Sequence, residues 1–265
     1  MSGPDSLCAF AVAILKAADP QEKVTLTHAA AAAWRNGDLA IAQAAPPERP
    51  ARPAKPVLMQ PREMPKRSIG PKGRLALVHA LAHIELNAVD LAWDVVARFG
   101  AGMPRAVVEA GVDVAWEEAA HYTTRTARLR TLDVCYGDLP AHDGLWEAAM
   151  RTSDDLAARM ALIPMTFEAR GLDTTPPTTA KLRTGGDEET AAILDVIYTD
   201  EIKHLAIGVR WFEFLCTAVG KDPHAAYKHV IDTRYPGGLR PPFNMEARGA
   251  AGMGADYLRP WTLTG

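Results

Sequence analysis

Two short stretches combine a carboxylate with an imidazole one helical turn away: Glu118-Ala-Ala-His121 and Glu201-Ile-Lys-His204. Side chains three residues apart on a helix share a face, so each stretch aims two metal-ligand groups at one point. The chain holds 14 Glu and 8 His among 265 residues, from which chance supplies roughly 0.4 such pairs, so even two are only suggestive. The surrounding spacing adds weight. Glu85 precedes Glu118 by 33 positions and Glu168 precedes Glu201 by 33, so two halves repeat at an offset of 83. Each half offers one Glu from one helix and a Glu/His pair from the next.

Glu85, Glu118, His121, Glu168, Glu201 and His204 together form the inventory that two carboxylate-bridged ions need. Four carboxylates cancel most of the charge of two divalent cations, and one neutral imidazole per ion leaves coordination positions open to oxygen or peroxide. Hard oxygen donors with imidazole and no thiolate favour iron, or manganese, over a structural zinc. The competing reading is surface glutamates and capped histidines. Asp200 and Glu117 each precede a ligand Glu by one and a ligand His by four, so each can orient a histidine and fix its tautomer. For Glu117 an ordinary exposed helix carboxylate is the favoured alternative. Tyr198, three before Glu201, is a candidate redox-active phenol, although most inward tyrosines at helical spacing are core. His79 and His83 are not one turn from Glu85 and read as core or interface histidines. Pro164, one turn before Glu168, should bend its helix, either shaping a substrate cavity or adjusting packing.

Four long helical patterns are expected to position these groups. The first spans about Arg74 to Arg98, stopped by Gly100 and Gly102. The second opens at Pro104 and ends near Gly137. So short a connection makes the two antiparallel neighbours. After a short helix around Trp146, the third runs from Ser153 to a stop at Gly171. A Thr/Pro/Gly loop then leads to Asp187, which can cap a fourth helix ending near Gly220. Residues 5 to 44 read as helical packing material. Pro46 to Arg74 mixes eight prolines with eight Lys or Arg and two Glu, which forbids a regular helix and favours an extended arm. The expectation is an all-α chain: an N-terminal helical segment (1–45), a proline-rich basic arm (46–73), an antiparallel four-helix bundle (74–235) and an irregular tail (236–265).

Composition bounds the rest. With 48% apolar residues the chain can bury a real core. A formal net charge of −3 gives no global pull toward nucleic acid or anionic membrane. Cys8, Cys135 and Cys216 lie far apart, match no zinc-finger or CxxC spacing, and read as reduced thiols of a cytoplasmic protein. The N-terminal apolar run lacks preceding basic residues and a convincing cleavage site, so no secretion signal is expected, nor is any membrane span, since no segment approaches about 20 apolar residues.

KGRLALVHALAHIELNAVDLAWD, EEAAHY, FEARGLD, TDEIKHLAIGVRWF and the tail PPFNMEAR together resemble a ferritin-like family known as domain of unknown function 455, over residues 10 to 255. More remotely the chain is similar to the bacterial tRNA hydroxylase acting on an isopentenyl-type adenosine, and to rubrerythrins. The resemblance implies a ferritin-like di-iron carboxylate bundle and carries the six ligands onto the six positions above. It implies an oxygen-dependent oxidoreductase, with a non-catalytic metal-binding or peroxide- and iron-detoxifying protein as the alternative. The proline-rich arm and tail argue against a storage cage. No CxxC pair, flavin motif or nucleotide loop is present, so an enzyme of this kind needs a separate electron donor. If the likeness extends to substrate, RNA docks on the basic arm between Arg49 and Arg74; otherwise a small organic substrate is expected, and the arm is solvated or internally paired. A homodimer is plausible as a prior for bundles.

Overall fold

The computed structural model describes residues 4–68 and 70–262, and there the chain is all-helical. Residues 1–3, Ile69 and residues 263–265, which belong to the expected N-terminal segment, arm and tail, lie outside the described residues. No strand forms among the described residues; extended backbone pairs only at the isolated bridges Ser6–Ala40 and Leu58–Ala141. The chain divides into two compact units, Met1–Trp146 and Glu147–Gly265.

In the first unit, α1 (Leu7–Lys16) begins at Ser6, whose Oγ accepts the Ala9 N–H, and α2 (Pro20–Arg35) begins at Asp19, whose carboxylate accepts the Glu22 N–H. These caps satisfy backbone donors that the first helical turn leaves open. The helical segment expected over 5 to 44 is thus two helices, and residues 36–44 are not helical. Then come α3 (Pro71–Phe99), a 3-10 turn over Gly100–Gly102, and α4 (Arg105–Thr131). α3 starts earlier than its apolar pattern because Pro71 occupies the first turn, where a missing N–H costs nothing. The two helices run antiparallel: Val78 packs in one cluster with Leu129, while Gly111 lies against Val96.

α1 and α2 pack on this pair. Cys8 Sγ donates to Val96 O at 3.4 Å, and Trp93 Nε1 donates to Thr27 Oγ1 at 2.9 Å. Lys23, fully buried, donates to Asp90 Oδ1 at 2.7 Å and to Ile14 O at 3.0 Å, so its charge also serves the C-terminal carbonyls of α1. The arm is tied down between residues 49 and 59. Arg52 reaches Asp90 Oδ2 and Asn87 Oδ1, each at 2.6 Å; Arg49 pairs with Asp143; Met59 N–H donates to Ala141 O at 2.8 Å. Two of its arginines thus spend their charge on carboxylates of the same unit.

By length and composition Pro71–Gly102 is long and apolar enough to cross a membrane, with mean hydropathy 1.3, contrary to the expectation that no segment is. Yet 78% of that window is buried inside the protein, which is how a core helix passes the same test.

After α5 (Gly144–Met150), the second unit holds a helical stretch that departs from the sequence reading. α6 (Leu156–Leu162) leads into a π-helical turn (Ile163–Glu168), which continues as α7 (Ala169–Thr184) straight through Gly171, Pro176 and Pro177. The Thr/Pro/Gly segment is helix, not loop. One reason lies in the tail: Pro176 cannot donate to Leu172 O, and Asn244 Nδ2 does so instead at 3.1 Å. α8 (Glu188–Ala218) begins at Asp187, whose Oδ1 accepts the Thr190 N–H, as its sequence suggests. α7 and α8 are antiparallel, with Arg183 paired to Asp195 near one end and Pro164 against Gly208 near the other. α9 (Pro223–Arg234), α10 (Met245–Ala250) and α11 (Ala255–Thr262) follow, so the expected irregular tail is partly helical. Asn244 caps α10, and Arg248 forms a buried ion pair with Asp173 at 2.7 Å. The cap is local, whereas the ion pair joins residues far apart in sequence and leaves no periodic signal in it.

Candidate metal centre

α3 and α4 bring Glu85, Glu118 and His121 together, each offering a ligand atom, and these atoms lie within 4.8 Å of one another. The three residues are only 2%, 1% and 5% exposed. His121 Nδ1 stands 3.5 Å from Glu118 Oε2, as one helical turn requires. Oxygen and imidazole donors without a thiolate make a set suited to a divalent transition ion, and the fit is to one ion for this half. Two carboxylates this far from water repel one another and resist ionising unless a cation stands by. One does. Arg125, itself 6% exposed, places Nε 2.5 Å from Glu85 Oε1.

The second half lies within the second unit. On α8, His204 Nδ1 stands 3.7 Å from Glu201 Oε2, with His204 1% and Glu201 16% exposed. Glu168 is half-buried and closes the π turn. That turn is made where Pro164 interrupts the α ladder, and the Ala169 N–H reaches back five residues to Pro164 O. Side chains serve nearby carbonyls: Thr166 Oγ1 donates to Ala161 O at 2.8 Å, and Tyr227 Oη donates to Met165 O at 3.1 Å. Glu168 therefore sits at the end of a five-residue ladder step rather than on the four-residue count of a regular α-helix. Gly208 permits it. A Cβ there would lie 2.5 Å from Pro164 Cβ, closer than any real carbon contact.

The remaining sequence candidates fall as follows. Asp200 accepts from Lys203 Nζ at 2.7 Å on its own helix. Glu117 is half-buried on α4. Tyr198 Oη accepts from Asn244 Nδ2 at 2.9 Å, so the tail holds its phenol. His83 has both ring nitrogens engaged, Nδ1 with Tyr136 Oη at 2.7 Å and Nε2 with His142 O at 3.2 Å. Burial, with Arg52 adding to it, pushes its imidazole down to about 3. His79 Nε2 accepts the Gly137 N–H at 3.0 Å, and burial lowers this imidazole as well. Both histidines are occupied core groups rather than ligands.

Arg125 escaped the sequence reading. A signal existed: it lies four residues after His121 and seven after Glu118, on the ligand face of an amphipathic helix. Asn244 and Arg248, in contrast, act through contacts that no local spacing encodes.

Fold and site define a helical protein with a buried carboxylate and imidazole cluster able to hold a metal ion. The chain belongs to the family described as "Protein of unknown function (DUF455)", matched over residues 16–259. It is 41% identical over 186 residues to a Haemophilus influenzae protein that bears the name "Uncharacterized protein". That alignment covers 68% of this chain and 65% of the relative, so the chain spans just under two thirds of its relative's length. No solved structure matches the chain.

Proposed function

We propose that the chain is a dinuclear metal protein whose ligands are Glu85, Glu118, His121, Glu168, Glu201 and His204. The proposed frame is a ferritin-like antiparallel four-helix bundle over residues 74–235, built from α3, α4, the α6–α7 stretch and α8. The ions are iron, with manganese the alternative. The activity is an oxygen-dependent oxidation of an organic substrate, of the hydroxylase type, in the cytoplasm, with electrons from a separate donor protein. One observation carries this reading: Glu85, Glu118 and His121, buried and drawn from two helices, present ligand atoms within 4.8 Å of one another. The repeat at an offset of 83 supplies an equal second half.

The chain's own part in such chemistry follows from its side chains. The carboxylates supply negative charge against two dications, and the imidazoles, kept neutral, add one nitrogen each. Burial of Glu85 and Glu118 keeps water from them, which strengthens every charge interaction inside. When bound, the metal pair supplies the redox capacity that no side chain here possesses.

The test is elemental analysis of protein purified without added metal or chelator, with absorption spectra before and after oxygen is admitted to the reduced form. About two irons per chain with an oxygen-dependent transient band is the expected result. Glu118→Ala is expected to lose at least one ion, and full occupancy in that variant would refute the ligand assignment. Consumption of hydrogen peroxide without any organic product would instead favour a detoxifying role.

A further inference from the structure

A buried arginine beside a metal-ligand carboxylate is unusual enough to need a reason. Burying a guanidinium carries a desolvation cost that only good pairing offsets, and Arg125 is 6% exposed. Its Nε lies 2.5 Å from Glu85 Oε1, a buried ion-pair contact closer than an ordinary N–H···O hydrogen bond. Arg125 sits on α4, on the same face as Glu118 and His121, whereas Glu85 stands on α3. The pair therefore crosses between the two helices that carry the three ligand groups. Glu85 has a flexible side chain of three torsions, and the cross-helix ion pair restrains it.

We propose that Arg125 is a positioning residue for the metal centre: it holds Glu85 through Oε1, so that the other carboxylate oxygen is presented to the ion beside Glu118 and His121. This rests on the reading of Glu85, Glu118 and His121 as ligands. The alternative role, a guanidinium that merely occupies the metal's place, predicts the opposite effect of removing it. A competitor's removal tightens metal binding, while a positioner's removal weakens it. Mutating the outer partners of metal ligands typically costs ten- to hundred-fold in metal affinity. Their loss leaves the carboxylate free to rotate away. Lysine cannot reproduce the planar fork, but its ammonium keeps a donor and a charge near Oε1.

The experiment is titration of metal-free full-length protein with cobalt(II), read from its ligand-field absorption, for the wild type, Arg125→Gln, Arg125→Lys and Glu118→Ala. Expected is a ten- to hundred-fold weaker dissociation constant in R125Q, with R125K recovering part of the loss. Far-UV circular dichroism and a thermal melt check that each variant is folded, and R125K carries the test if R125Q is not. Cobalt binding that is unchanged or tighter in both arginine variants, with E118A still defective, would overturn the positioning role and leave the metal site standing. A wild type that binds no cobalt would overturn both.

Discussion

Gly208→Ala probes the contact that shapes the second half of the site. A Cβ at 208 would stand 2.5 Å from Pro164 Cβ and 2.7 Å from Pro164 Cγ. Carbon atoms pack best at about 3.5–4.0 Å, so the two segments would have to part by roughly 1 Å. Pro164 cannot yield by rotating a side chain, because its ring is tied to the backbone and lies inside the π turn. Such overpacking costs about 1–3 kcal/mol. Against it stands the helix-propensity gain of Gly to Ala, at most about 1 kcal/mol. With a rigid neighbour the clash wins, and a net loss of about 1–2 kcal/mol is expected, a fall in Tm of roughly 2–8 °C for a chain of this size. Gly171→Ala is the matched control. It lies inside α7, and a Cβ there meets nothing within 4 Å. That variant should be as stable as the wild type or more so. Thermal and urea unfolding of both variants decide the matter. Because Pro164 is four residues before Glu168 and Gly208 four after His204, G208A should also weaken metal binding, and G171A should not. A G208A protein at least as stable as the wild type would refute the close contact and the account of the π turn built on it.

Two further outcomes follow from the first unit. Asp90→Leu removes the fully buried carboxylate that receives Lys23 at 2.7 Å and Arg52 at 2.6 Å. Fully buried Lys23 loses its counter-ion, and half-buried Arg52 keeps only Asp143 and Asn87, so urea denaturation should show a loss on the order of 3–5 kcal/mol, and a loss below about 1 kcal/mol would contradict the network. His79 is held neutral, since its Nε2 accepts the Gly137 N–H and burial lowers its imidazole below 6.5, with Asp138 opposing. The unfolded chain therefore binds a proton that the folded chain refuses. Stability is full above about pH 6.5 and declines as pH falls below it. His79→Gln should make that acid-side decline shallower in chemical unfolding between pH 7 and 5, and an unchanged slope would count against the assignment.

Much of the helical layout was legible. Asp187 announces α8, Pro104 stands at the start of α4, and Gly100 and Gly102 mark the turn between α3 and α4, because caps, prolines and glycines act within a few residues of themselves. The Glu/His pairs were legible for the same reason, since one helical turn fixes which side chains share a face. Gly171 and the Pro176–Pro177 pair misled. As local signals they end a helix, but α7 continues because Asn244, some seventy residues later, serves the carbonyl of Leu172 that Pro176 leaves open.

The sequence by itself determined the helical class, the end of α3, both ends of α8, the start of α4 and the candidate ligands with their repeat of 83, all of which depend on interactions within a turn or two of chain. Only the tertiary structure decided that Arg125 pairs with Glu85, that Gly208 lets the π turn ending at Glu168 approach α8, that the arm's arginines are spent on Asp90 and Asp143, and that the tail holds Tyr198. Each of these joins residues distant in the chain. Their free energy comes from burial and charge pairing in the folded interior, which no local spacing records.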